Sequence, residues 1–305
     1  MARRKKGKAV HGWLILDKPA GMTSTQAVGL VRRRFDARKA GHAGTLDPLA
    51  TGILPIALGE ATKTVPYAVA GRKRYRFTVR WGVETDTDDT EGRAVTCSQV
   101  RPGRAAIEAL LPRYIGDVLQ TPPAFSAVKI AGARAYDLAR SGAAVELEPR
   151  RVHIDALSLI DVPDHDRAVF EAQCGKGTYV RALARDMGRA LGCFGHLIEL
   201  RRTCVGAFDE AQAVTVQALE DADQEGLHRL LLPVEAALGE LAVLNVGQTD
   251  AARLLNGQKV LIRGRDAPAH AGDAYAVCKG NLIAVGRLEK GEMRPIRVFN
   301  FSDAD

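Results

Sequence analysis

No apolar run in these 305 residues approaches the roughly 20 needed to span a bilayer. Nothing apolar near the start resembles a signal peptide, so a cytoplasmic protein with no membrane contact is expected. The five cysteines (Cys97, Cys174, Cys193, Cys204 and Cys278) form no CxxC pair, and the seven histidines lack the short spacings that bring two ligands to one metal. The cysteines are therefore expected to be reduced and mostly buried, with no metal centre. No glycine-rich nucleotide loop, internal repeat or low-complexity tract is present either.

Present instead is an ordinary globular composition, 46% apolar and 26% charged, at a length that suits one large domain with an appendage, or two domains. The formal charge is +7. Basic residues cluster in MARRKKGKAV at the start, in RRRFDARK (32 to 39), in GRKRYR (71 to 76) and in RRT (201 to 203). Such an excess favours a polyanionic partner, most often nucleic acid.

The periodicities mix helix and strand. Five of the first eight residues are Lys or Arg, which reads as a flexible basic arm over about 1 to 10. GWLILDKPAGMTS predicts a strand at Trp13 to Leu16, a turn, and a helix starting near Ser24 whose end carries Arg32, Arg33 and Arg34. In KRYRFTVRWGV, Tyr75, Phe77, Val79 and Trp81 alternate with polar residues, the pattern of a half-buried strand. The acidic stretch ETDTDDTEG that follows lacks the spaced ligands and closing Glu of a calcium loop, so it is expected to hold no metal. Residues 103 to 115 read as helical, and a further helix is expected at Ala133 to Arg140. VHIDALSLIDV and AVFEAQC read as strands.

GTYVRALARDMGRALG predicts a helix with Val180, Leu183, Ala184, Met187 and Leu191 facing inward and Arg185 and Arg189 largely solvated. Arg181 falls in its first turn, where the helix dipole disfavours a cation, which points to a nearby carboxylate. From about 240 onwards QKVLI, AYAVC, NLIAVGRLE and MRPIRVF make a small strand-rich appendage.

HAGTLDPLATG, residues 42 to 52, contains the lone carboxylate Asp47. Pro48 keeps Asp47 out of the helical region, and Gly44 and Gly52 permit tight turns where a ligand can approach. Asp47 either caps this turn or does chemistry as a nucleophile, an acid or base, or a ligand. The stretch holds no second acid of the kind a retaining glycosidase needs. The chemical reading left is a carboxylate acting at a carbon centre, kept ionised by a cation such as Arg181 or Lys18.

Taken together, GWLILDKPAGMTS, GHAGTLDPLATGILPIALGEATK, KRYRF, TPPAFSAVKIAGARAYDLAR, CGKGTYVRALARDMG and HLIELRR, in this order and spacing, closely resemble the bacterial tRNA pseudouridine synthase B family over about residues 11 to 235. The tail more loosely resembles a PUA-like RNA-binding appendage. The resemblance implies an α+β fold: a pseudouridine synthase catalytic domain at 11 to 238 with a largely antiparallel central sheet, and a small PUA-like β-barrel at 239 to 305. It implies isomerisation of the uridine at position 55, in the T-loop of tRNA, with no cofactor and no obligatory protein partner.

By the same resemblance Asp47 matches the catalytic aspartate, attacking ribose C1′ or uracil C6 or starting elimination to a glycal. Tyr75 matches the tyrosine that stacks on the flipped base and a candidate for proton removal, and Arg181 the cation paired with the carboxylate. Tyr179 and Leu200 match pocket residues, and His42 the residue that fills the gap left in the RNA stack. Lys18, Arg32, Arg33 and Arg34 join the expected substrate-binding set, with the arm at Arg3 to Lys8 as a further phosphate contact. Two other readings stay open here: an RNA-folding chaperone without required catalysis, and a guide-RNA-dependent pseudouridine synthase.

Overall fold

A computed structural model of the chain describes residues 7–126, 129–130, 133–134, 147–262 and 271–301. The helix expected at Ala133 to Arg140 falls largely outside the described residues, as do Arg3 to Lys6 of the basic arm. The chain groups into two compact units. One comprises Met1–Asp47, Ile53–Val69 and Gly206–Asp305, the other Pro48–Gly52 and Ala70–Val205.

In the first unit, strand β1 (Gly12–Lys18) is buried along almost its whole length. Trp13 has no exposed surface; its indole N–H donates to the Val234 carbonyl at 3.2 Å and its ring lies 5.1 Å from that of Phe208. A turn leads into helix α1 (Ser24–Arg34), whose start is fixed by a capping box between Thr23 and Gln26. Its buried stripe is Ser24, Ala27 and Val31, followed by Phe35. Strand β2 (Ala40–His42) then pairs antiparallel with β3 (Thr51–Leu58). Residues 7 to 10, the end of the basic arm, are tied down: the Lys8 amide donates to Asp36 O at 2.6 Å and Arg38 N donates back to Lys8 O at 3.0 Å.

The second unit is built on an antiparallel sheet of five strands, β4 (Lys73–Trp81), β5 (Gly116–Gln120), β6 (Arg150–Asp164), β7 (Arg167–Cys174) and β8 (Gly195–Val205). Their spatial order is β8–β4–β7–β6–β5. The alternation read in β4 is observed for Phe77, Val79 and Trp81, which are buried, and for the exposed Arg74, Arg76 and Arg80, but it breaks at Thr78, which is 6% exposed and donates to Glu199 at 2.7 Å. Phe77 stacks on Phe170 of β7 with ring centres 5.3 Å apart. Helix α2 (Val180–Ala190) lays Val180, Leu183, Ala184 and Met187 inward. Gly188 is required there, because a Cβ would come within 2.4 Å of the Gly195 nitrogen.

In the remainder of the first unit the short strand β9 (Val214–Thr215) pairs parallel with β1. Helix α3 (Val216–Asp221) follows. Beyond it, β10 (Ala242–Asn245), helix α4 (Gln248–Leu255), β11 (Val260–Leu261), β12 (Gly272–Cys278), β13 (Asn281–Glu289) and β14 (Glu292–Val298) form a small β structure. Its five strands run β10–β12–β13–β14–β11 around Leu244, Leu254, Ala276, Ala284 and Met293. This is the expected PUA-like appendage, and with the largely antiparallel sheet it makes the chain α+β. The strand β10 and helix α4 are additions to the sequence reading.

Candidate active site

Lys18 ends β1 with no exposed surface, and its ammonium donates to the carbonyls of Pro19 and Met22 at 2.8 Å each. It thereby closes the turn that leads into α1. Thr23 accepts from Gln26 N at 3.1 Å, which satisfies one of the orphan amides of the helix. Ser24, the first helical residue, turns its hydroxyl the other way, onto the backbone of Leu46. Between β2 and β3 the chain runs through Gly44 at φ +96° and Leu46, 4% exposed, to Asp47, which is half-buried. His42 is half-buried at the end of β2, opposite Ile56.

Of the three arginines ending α1, Arg32 and Arg33 are exposed. Arg34 is not: its guanidinium donates to the carbonyls of Leu219 at 3.1 Å, Glu220 at 3.2 Å and Ala222. Those are carbonyls at the end of α3, where a cation is favourable.

In the second unit, Tyr75 is half-buried in the middle of β4 between the exposed Arg74 and Arg76. It stands opposite Arg202 of β8, and Phe77 stands opposite Leu200. Residues two apart share a face, so Tyr75 and Leu200 lie on the same face of adjacent strands. Gly52, at φ +96°, also adjoins Arg202, and a Cβ there would sit 2.2 Å from the Arg202 carbonyl. The freedom of Gly52 thus serves close strand pairing rather than the approach of a ligand.

Tyr179 is the residue before α2, and its backbone is gripped by a side chain the sequence reading missed. Gln120, 2% exposed, accepts from Tyr179 N at 2.8 Å and donates to Tyr179 O at 3.1 Å. No pattern in GDVLQ pointed to it, since Val118 and Leu119 are adjacent rather than alternating. Two residues on, Arg181 is 6% exposed; it donates to Thr87 O and Phe125 O at 2.9 Å each and lies 3.3 Å from the Asp89 carboxylate. Arg181 thus has a carboxylate neighbour, as its place in the first turn suggested.

The expectation that Arg185 and Arg189 are largely solvated is corrected for Arg185. Arg185 is 7% exposed and donates to Asp88 and Asp186 at 2.8 Å and to Thr121 O at 2.7 Å. Arg189 is half-exposed but grips Glu84 through two bonds, at 2.6 and 2.8 Å. Positions 181, 185 and 189 share one face of a helix, and that face meets the acids of ETDTDDTEG, Glu84, Asp88 and Asp89, which are themselves buried. Burial pushes Asp88 up to about 6 against the pull of Arg185 and Arg181.

Among the cysteines, Cys174 and Cys193 are buried, Cys204 and Cys278 half-buried and Cys97 exposed. Burial pushes the thiols of Cys174 and Cys193 up to about 11, far from a nucleophilic thiolate at neutral pH. Among the described residues no group of three or more His, Cys, Asp or Glu is placed to hold a metal ion, and no helix is long and apolar enough to cross a membrane.

The expected site residues thus fall into two groups. Lys18, Arg32, Arg33, Arg34, His42 and Asp47 belong to the first unit, and Tyr75, Tyr179, Arg181 and Leu200 to the second.

Residues 32–180 match the model of the TruB family pseudouridylate synthase N-terminal domain, and residues 181–239 that of the tRNA pseudouridylate synthase B C-terminal domain. The chain is similar to the tRNA pseudouridine synthase B of Nitrobacter winogradskyi, 60% identical over 98% of this chain and 85% of that one. It is similar also to that of Bradyrhizobium diazoefficiens, 59% identical over 98% and 88%, and to that of Agrobacterium fabrum, 55% identical over 97% of both. Among solved structures it resembles a chain of an H/ACA RNP bound to a substrate RNA containing 2'-deoxyuridine, at a TM-score of 0.74 and 22% identity over 99% of this chain and 92% of that one. A chain of a Cbf5-Nop10-Gar1 complex aligns at 0.71 and 24% identity over 95% and 84%. These two likenesses concern the fold alone. The chain belongs to the TruB family of pseudouridylate synthases.

Proposed function

We propose that this protein isomerises a uridine of tRNA to pseudouridine, at position 55 of the T-loop, in the cytoplasm and without an obligatory protein partner. The observation that carries the reading is the continuous family match over residues 32–239, which includes Asp47, Tyr75, Tyr179, Arg181 and Leu200. The relatives' names supply the tRNA substrate.

In this reading the carboxylate of Asp47 initiates the reaction. The N1–C1′ bond of the uridine breaks, the uracil rotates, a C5–C1′ bond forms, the hydrogen on C5 leaves as a proton, and N1, freed from the ribose, takes up a proton in its place. Nothing is oxidised or reduced, so the balance needs no cofactor. Extruding the base costs roughly a few kcal/mol. Stacking on Tyr75 returns about 1 to 3 kcal/mol, His42 fills the gap left in the stack, and Leu200 and Tyr179 shape the pocket, with Arg181 as its cation. Arg32 and Arg33 are the exposed cations of α1 that suit phosphate contacts, and the PUA-like tail adds RNA-binding surface.

The test is tritium release from a tRNA transcript labelled at uridine C5, using the purified chain alone. Release of about one tritium per tRNA, abolished by replacing the T-loop uridine and by Asp47→Asn, with tRNA binding retained in the variant, is expected for a step that expels the C5 hydrogen. Tight tRNA binding without release by the wild type would instead mark a chaperone or a missing guide.

A further inference from the structure

We propose that Ser24 is a positioning residue for this reaction, its buried hydroxyl holding the backbone that presents Asp47. The proposal rests on the reading of Asp47 as the reacting carboxylate.

Ser24 is 3% exposed. Its Oγ lies 2.9 Å from Leu46 N, from which it accepts, and 2.9 Å from Leu46 O, to which it donates. Both polar groups of one peptide residue are thus satisfied by a single side chain 22 positions away. A serine at a helix start would ordinarily serve the cap, but that duty falls to Thr23, whose hydroxyl accepts from Gln26 N. The hydroxyl of Ser24 has no part in the capping box and bonds to the loop instead.

The consequence falls on the next residue. Leu46 is held at three points, its side chain in the core and its N–H and C=O on Ser24. Pro48 restricts the backbone of Asp47 from the other side. Asp47 sits between a pinned residue and a proline in a segment that otherwise lacks regular structure. A carboxylate that must meet one carbon atom gains from this, because a misplacement of about 1 Å costs on the order of a hundredfold in rate.

The test compares two replacements of one shape, Ser24→Thr with a hydroxyl and Ser24→Val without. Tritium release is measured in single turnover at saturating tRNA, well below the melting temperature of either variant, alongside tRNA affinity and an Asp47→Asn control. The expected result is that Ser24→Val turns over about tenfold or more slower than Ser24→Thr while both bind tRNA alike. Equal rates for the pair, with Asp47→Asn inactive, would overturn the role of Ser24 and leave that of Asp47 standing. An active Asp47→Asn would overturn the reading of Asp47, and this proposal with it. If Ser24→Val does not fold, Ser24→Ala removes the hydroxyl without added bulk, and a rate equal to that of Ser24→Thr would be equally fatal.

Discussion

Arg185 donates to the carboxylate of Asp88 at 2.8 Å with the two side chains 8% and 7% exposed, joining helix α2 to a loop nearly a hundred residues earlier in the chain. A pair removed from water to this degree is costly to break, because either partner alone becomes an uncompensated buried charge.

Its pH behaviour follows from burial. Asp88 is pushed from the ordinary 3.8 up to about 6, so between those values the folded protein keeps a proton that the unfolded chain releases. Its contribution to stability is therefore full below about pH 4 and falls as pH rises to about 6. Urea unfolding of Asp88→Asn across this range is expected to lack that decline; an unchanged slope would locate the decline elsewhere. Arg185→Met is expected to lose about 3 to 5 kcal/mol at pH 7, and less near pH 4, where Asp88 is protonated.

The grip of Gln120 on Tyr179 makes a second, independent prediction. In Gln120→Glu the acceptor for Tyr179 N survives, but a carboxylate oxygen then faces Tyr179 O. A destabilisation of about 1 to 3 kcal/mol is expected at neutral pH, partly restored when the new acid is protonated. Thermal unfolding at about pH 4.5 and about pH 7, on either side of a carboxyl raised by burial, reads both outcomes when each is set against the wild type at the same pH.

For Tyr75 the ring and the hydroxyl separate cleanly. Tyr75→Phe is expected to bind tRNA like the wild type and to release tritium slowly, since stacking needs only the ring. Tyr75→Ala is expected to lose about 1 to 3 kcal/mol of binding as well. A near-normal rate for Tyr75→Phe would move proton removal to another group.

The end of α1 divides its arginines. Neutralising Arg32 and Arg33 is expected to weaken binding to all tRNAs alike and to lower the slope of log K against log salt by roughly one for each phosphate that no longer meets a cation. Arg34→Ala is expected to leave the slope unchanged and to lower stability instead, because its guanidinium holds the carbonyls of Leu219 and Glu220. Filter binding over a salt series, with melting curves of the same proteins, distinguishes the two.

Much of this was legible in the sequence where the information is local. The apolar positions of β4, the inward stripe of α2 and the start of α1 follow from spacing, and they are observed where expected, save that Thr78 of β4 is buried because its hydroxyl finds Glu199 on the neighbouring strand. The motifs around Asp47, Tyr75 and Arg181 pointed to the family for the same reason, since order and spacing are properties of the chain itself. The solvation expected for Arg185 failed because the outward face of a helix is defined only when its neighbours are known, and the loop that covers it is distant in sequence.

The sequence by itself determined where the apolar residues of β4 recur, where α1 begins and which motifs occur, because those depend on neighbours along the backbone. Only the tertiary structure decided that the acids after β4 neutralise the arginines of α2, that Gln120 holds Tyr179 and that Ser24 holds Leu46. Each of these is a contact between segments far apart in the chain. Burial gives such contacts their force, since a polar group withdrawn from water must find its partner wherever the fold has placed one.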